Sequence, residues 1–130
     1  MYILLSSRDR KFIRRIRRIY NDGVTTVMVI PVIYWLGDGS KVSEVPDVVL
    51  FDIEGLEPKI WPKNVAHLRK DCDLKVIVVD RRANCRRTVT AFKNYAVNYL
   101  SKAKRVADAK VRKAVTEAFR AGLPLLPSEH

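Results

Sequence analysis

Two aspartates, one lysine and a few hydroxyls are the groups that could do chemistry together in this chain, because each stands at the end of a short apolar run. Asp52 follows residues 48–51 and Asp80 follows 76–79, while Ser6 and Ser7 follow 2–5, Pro31 follows 26–30, and Ser101 and Lys102 follow 97–100. If the runs are parallel strands of an open sheet, their carboxyl ends deliver these residues to one crevice, at the point where strand order reverses. Carboxylates gathered there, with Glu54 two residues past Asp52, could hold a divalent ion for hydrolysis. Alternatively Lys102 bridges Asp52 and Asp80 in a closed ion-paired cluster, lowering the pKa of one carboxylate and leaving the other to drift upward unless it is hydrogen-bonded. No histidine or nucleophile stands beside them, so the closed cluster is the expectation, with no catalytic residue, metal or cofactor.

The elements that must position these groups are legible in the apolar pattern. The five runs are β-branched and nearly continuous, as strands of a parallel sheet covered on both faces should be, and each is expected to be buried. Residues 9–21 place Phe12, Ile13, Ile16, Ile19 and Tyr20 on one helical face, with Gly23 as a stop. Residues 84–95 place Cys85, Thr88, Val89 and Phe92 on another, with Asn84 as N-cap. A last helix over 104–121 turns Val111, Val115, Ala118 and Phe119 inward. The crossover over 31–45 holds Pro31, Gly37 and Gly39 and reads as a weak helix at best, and in 55–71 a helix begins at Pro62. Right-handed crossovers then give a doubly wound α/β fold, a single five-stranded parallel sheet of flavodoxin-like order 2-1-3-4-5 with helices on both faces. The domain spans 1–121, and 122–130 form a tail or linker.

Composition sets the outer limits. A chain of 130 residues, 48% hydrophobic and 30% charged, suffices for one domain that needs no disulfide or structural metal. No apolar run reaches the ~20 residues that span a bilayer and the start lacks a signal-peptide layout, so a cytoplasmic protein with no membrane partner is expected. Cys72 and Cys85, with only His67 and His130 as nitrogen ligands, lack zinc spacing and read as reduced thiols; His67 receives no role.

The 25 Lys and Arg against 14 Asp and Glu leave a charge of +11, which favours anionic partners. The first helix carries Arg8, Arg10, Lys11, Arg14, Arg15, Arg17 and Arg18 against Asp9, and Arg81, Arg82, Arg86 and Arg87 follow the fourth strand. The last helix adds Lys104, Arg105, Lys110, Arg112 and Lys113, so one broad basic face is expected. It could meet phosphates, including those of DNA, but without interleaved aromatics it gives no base-specific reading. The apolar residues 32–36 and Trp61 read as core or as a partner patch, and Gly37-Asp38-Gly39 as a turn.

Two stretches carry a resemblance. Residues 46–52, PDVVLFD, and 91–102, AFKNYAVNYLSK, resemble the response-regulator receiver family at the end of its third strand and at its fourth helix and fifth strand. The resemblance covers residues 1 to about 121 and implies a two-component signalling or transcription-regulating domain. By it Asp52 takes the phospho-acceptor position, Lys102 the lysine position and Tyr99 the aromatic switch position. It also implies partner or homodimer contacts through the fourth helix, fifth strand and fifth helix, here 86–96, 97–100 and 104–119, and an output domain beyond the tail.

The departures from the family shape the expectation. Ser6 and Ser7 stand where phosphorylated receivers carry the acidic pair that helps bind magnesium, an ion that usually keeps one or two carboxylate ligands. Asp80 replaces the hydroxyl residue that bonds the phosphoryl group, and its charge would repel that dianion. Ala103 replaces a proline that follows a cis bond; cis would cost ~3 kcal/mol here, so a trans bond is expected. The chain is thus read as an atypical receiver, or pseudo-receiver, acting through protein contacts. A receiver still phosphorylated on Asp52 and a basic nucleic-acid-binding domain are the alternatives.

Overall fold

The computed structural model describes residues 1–31 and 45–123. The elements are β1 (Tyr2–Ser6), α1 (Arg10–Ile19), β2 (Thr26–Ile30), β3 (Val48–Asp52), α2 (Trp61–Lys70), β4 (Val76–Asp80), α3 (Cys85–Lys93), β5 (Asn98–Ser101) and α4 (Asp108–Arg120). All five strands are parallel and ordered β2-β1-β3-β4-β5, the predicted order. The expectations for residues 32–36 and 37–39, for a weak helix over 31–45 and for the tail fall wholly or largely outside the described residues.

Side chains alternate across a strand, so each apolar run feeds two cores. Ile3, Leu5, Val48, Leu50, Ile77, Val79 and Leu100 pack under α1 and α4, meeting Phe12, Ile16, Val111 and Val115. Leu4, Val49, Phe51, Val76 and Val78 face the other way, against Trp61, Val65 and Leu68 of α2 and Ala91 of α3. Every residue of β3 and β4 is buried, which is why neither run shows polar alternation. Trp61, 2% exposed at the start of α2, is core rather than a partner patch.

Helix starts follow local chemistry. Asp9 caps α1, its Oδ1 accepting the N–H groups of Lys11 and Phe12 at 3.0 and 3.3 Å. Asn84 caps α3 as predicted, accepting from the Arg87 N–H at 3.0 Å. Pro62 sits in the first turn of α2, where a missing N–H is harmless.

Five expectations need correction. On α3 the predicted face is not the packed one, since Ala91 is buried while Cys85, Val89 and Phe92 are exposed, and on the last helix Phe119 is 42% exposed instead of turned inward. β2 is not a buried strand: Thr26 and Met28 are exposed and the other three residues half-buried, because it lies at the sheet edge. β5, at the opposite edge, buries only Leu100. The last helix begins at Asp108, not 104, so Lys104 and Arg105 belong to the β5–α4 loop. The Lys102–Ala103 bond is trans, as expected.

The strand order predicts a steep contrast in tolerance. Leu50→Ala, in the central strand with no exposure, should cost about 2–5 kcal/mol of unfolding free energy. Met28→Ala, 41% exposed on the edge, should cost under about 1 kcal/mol. Urea denaturation of the two variants measures both.

Candidate functional site

The carboxyl ends of β1, β3, β4 and β5 lie side by side, and their register decides which groups can meet. Asp52 is level with Val79, and Asp80 is level with Ser101. Asp52 therefore shares the face of Leu50 and Val79, beneath α1 and α4, and Lys102, following Leu100 at an interval of two, extends toward the same side. Asp80 and Tyr99 project from the opposite face, the side of α2 and α3. The crevice consequently holds two clusters, not one.

Lys102 centres the first. Its Nζ lies 2.7 Å from Asp52 Oδ2, 2.9 Å from Asp9 Oδ2 and 2.6 Å from Glu54 Oε2, so three carboxylates answer the three N–H donors of one ammonium. The side chains of both Lys102 and Asp52 are only 4% exposed. Ser7 Oγ donates to the same Asp52 oxygen at 2.6 Å and accepts the Asp9 N–H at 3.1 Å, while Asp52 Oδ1 accepts the Glu54 N–H at 3.1 Å. Lys102 also stands over the Phe12 ring, 5.9 Å from its centroid. A small cleft of about 420 Å³, bordered by Arg8, Pro31 and Leu56, opens onto this cluster.

The electrostatics follow from that crowding. Burial alone would lower the Lys102 pKa, but hydrogen bonds to Asp52, Glu54 and Asp9 outweigh it and hold the ammonium well above the ordinary lysine range. Burial raises the Asp9 carboxyl, and the hydrogen bonds from Lys102 and the Phe12 N–H more than reverse this, leaving it lowered.

Asp80 centres the second cluster. Its Oδ2 accepts from Arg87 Nε and from the Tyr99 hydroxyl, and its Oδ1 accepts the Arg81 N–H at 2.7 Å. Burial, then the Asp80 hydrogen bond, pushes the Tyr99 phenol up to about 12. The expected bridge from Lys102 to Asp80 is absent: Asp80 takes its cation from the first turn of α3, and Lys102 takes Asp9 and Glu54 instead.

The serines separate by the same alternation. Ser7 joins the Asp52 cluster, whereas Ser6 is buried on the other face, its hydroxyl without a hydrogen-bond partner among the described residues. Ser101 turns into its own loop, accepting the Ala103 N–H at 3.2 Å.

The predicted basic face is divided too. Arg15 is bound to Asp108 at 2.8 Å and to the carbonyls of Ala103 and Val106, clamping α1 to the β5–α4 loop, and Arg87 is committed to Asp80. Arg112 binds the Ile19 carbonyl and covers the Tyr20 ring. Arg14, Arg17, Arg81, Arg82 and Arg86 remain exposed, as does most of Arg18, which touches Asp108 at 3.1 Å. His67, given no role from sequence, has Asp71 at 2.5 Å and the Cys72 sulfur at 4.0 Å, though burial raises that thiol's pKa.

Asp9 and Asp108 are the site residues that sequence reasoning missed. Asp9 carried a usable signal: an N-cap directly after a strand end must sit at the crevice. Asp108 carried none, since its partners Arg15 and Arg18 are remote in sequence.

Removing the central ammonium tests the cluster. Lys102→Met should cost about 3–5 kcal/mol near neutral pH, because it leaves the buried Asp52 carboxylate uncompensated, whereas Asp9 and Glu54, 34% and 40% exposed, keep contact with water. The raised Lys102 pKa means its contribution is complete below the ordinary lysine value of 10.5 and fades as pH climbs beyond it. The lowered Asp9 pKa makes its share complete above the ordinary 3.8 and lost on further acidification. The gap between wild type and variant, read from urea midpoints, should be widest between those values and narrow at either end.

No family model matches the chain, and no curated protein does. Solved structures do. A response regulator from Thermotoga maritima aligns with a TM-score of 0.77 at 15% identity, covering 92% of this chain and 98% of that one. An orphan response regulator of H. pylori aligns at 0.70 and 21% identity, covering 92% and 97%. A response regulator from Burkholderia pseudomallei, bearing a phosphorylated aspartic acid and a calcium ion, aligns at 0.69 and 19%, covering 90% and 68%. The chain therefore has the fold of response-regulator receiver domains, five parallel strands in flavodoxin-like order.

Proposed function

We propose that this domain is an atypical receiver, a signalling module that works through protein contacts and whose conformation is not set by magnesium-dependent phosphorylation of Asp52. The observation that carries the reading is the Lys102 ammonium, held by Asp9, Asp52 and Glu54 within 2.6–2.9 Å. Magnesium demands near-octahedral oxygen coordination and sheds its water reluctantly. As arranged, the oxygens around Asp52 do not fit it: Oδ2 is committed to Lys102 and Ser7, and Oδ1 faces the Glu54 N–H. An ion entering here would have to displace an ammonium that has already lost its water to the same carboxylates.

Two substitutions support the same reading. Ser6 and Ser7 supply alcohols where the resemblance implies acids, and only Ser7 reaches Asp52. Asp80 stands where a hydroxyl would receive a phosphoryl oxygen, and the Tyr99 hydroxyl is tied to it instead of being available to swing with the state of Asp52.

The partner surface is assigned to α3, β5 and α4, the counterparts of the family's fourth helix, fifth strand and fifth helix. Val89 and Phe92 on α3 are 52% and 47% exposed, large apolar groups beside a sheet edge. Such a patch suits a second copy or a partner protein. In sedimentation velocity, Phe92→Glu should abolish any self-association of the wild type while leaving its melting temperature within a few degrees.

The phosphorylation half of the reading is tested with acetyl phosphate and magnesium. Intact-mass spectrometry should show no phosphoryl adduct, and amide spectra should be unchanged by beryllofluoride. A stoichiometric adduct lost in Asp52→Asn would overturn the reading. Lys102→Met, with three carboxylates released, should gain a magnesium-dependent rise in melting temperature that the wild type lacks.

A further inference from the structure

Basic residues from three separate segments converge on one cleft, which adjoins the Asp52 opening and shares Asp9, Glu54 and Lys102 with it. It lies between α1, the β4–α3 loop and the β5–α4 loop, has a volume of about 790 Å³, and is lined by seven cationic side chains and three carboxylates. The carboxylates are accounted for, since Asp9 and Glu54 answer Lys102, and Asp108 answers Arg15 and Arg18. Lys11, Arg81, Arg82 and Lys104 also line it, are exposed, and form no ion pair among the described residues.

Like charges gathered on a concave wall repel one another and focus a positive potential into the space between them. An anion relieves both effects. The wall is fixed beforehand: Arg15, 14% exposed, ties α1 to Asp108 and to the Ala103 and Val106 carbonyls, so little ordering remains to be lost on binding. Four uncommitted cations exceed what a single phosphate dianion neutralises. The volume lies in the range of roughly 300–1,000 Å³ of small-molecule sites. A nucleic-acid duplex spreads its phosphates along an extended rod, whereas these cations converge from three segments on one recess. Phe12, Ala103 and Val106 add apolar surface beside the cations, room for an organic group attached to the phosphates.

We propose that this cleft binds a small molecule carrying two or more phosphate groups, of the nucleoside di- or triphosphate class. The proposal stands whether or not Asp52 takes a phosphoryl group. Isothermal titration calorimetry with ATP and with inorganic tripolyphosphate, both without magnesium, tests it. Each should bind one per chain, and raising the salt should weaken both. Arg81→Gln with Arg82→Gln should weaken ATP about tenfold or more, as expected for lost charge-assisted hydrogen bonds. Arg86→Gln with Lys93→Gln removes the same charge from exposed positions on α3 outside the cleft, and should leave the affinity within about threefold. Tighter binding of ATP than of tripolyphosphate supports recognition of the nucleoside, and equal binding supports recognition of the phosphate chain. Absence of saturable binding by either probe overturns the proposal, as does equal weakening in both variants. So does a short duplex DNA that outcompetes ATP through the same two arginines.

Discussion

The structure depends on one ammonium. Lys102 reaches back from the end of β5 to the junction of β1 and α1, through Asp9, and to the end of β3 and the loop beyond it, through Asp52 and Glu54. No backbone ladder joins β5 to β1 or β3, because β4 lies between them, and the β1–β3 pairing ends at Ser6 and Phe51, one residue short of Asp52. An ion pair taken this far from water returns its desolvation cost only when every donor and acceptor is satisfied. Here each N–H of the ammonium has a carboxylate, and Asp52 has the Ser7 hydroxyl and the Glu54 N–H besides. The arrangement is less a source of net stability than a constraint: losing either Lys102 or Asp52, each 4% exposed, leaves the other charge buried without its main partner, while Asp9 and Glu54 stay partly hydrated.

Strand alternation keeps this cluster apart from Asp80. The two aspartates end neighbouring strands, yet a one-residue offset in register sends their side chains to opposite faces. Each carboxylate then meets a cation from its own side, Lys102 under the α1 face and Arg87 from α3. Among the described residues no side-chain hydrogen bond or ion pair joins the two clusters. Tyr99 falls on the Asp80 side for the same reason, and its phenol is one of three donors to that carboxylate, with Arg87 Nε and the Arg81 N–H.

The same offset explains how much was legible beforehand. Continuous apolar runs ending in Ser7, Asp52, Asp80 and Lys102 announced the strands, their order and the crevice, because burial on both faces leaves no other composition. Which aspartate Lys102 would meet depended on register, and register between parallel strands is set by long-range packing that a single sequence does not print. Asp9 was obscured by having two roles at once, one oxygen capping α1 and the other binding Lys102. β2, TVMVI, was misjudged because it shares the apolar composition of β3 and β4, whereas β5, NYLS, shows polar residues in its sequence; the predicted order already placed both at the edges.

Topology also decides where a surplus of cations ends up. Right-handed crossovers place α1 and α4 on one face of the sheet, so the β5–α4 loop runs beside the arginine-rich α1. Arg15 turns that adjacency into a fixed wall by spending its guanidinium on Asp108 and two loop carbonyls. Arg81 and Arg82 reach the same space because β4 ends next to β5, their backbones held by Asp80 and by the neighbouring Tyr99 hydroxyl. Committed cations thus build the frame, and uncommitted ones inherit its curvature. Composition presents a charge of +11 as a uniform property; once folded, seven cationic side chains against three carboxylates line one recess, and the remaining exposed cations lie elsewhere on the surface.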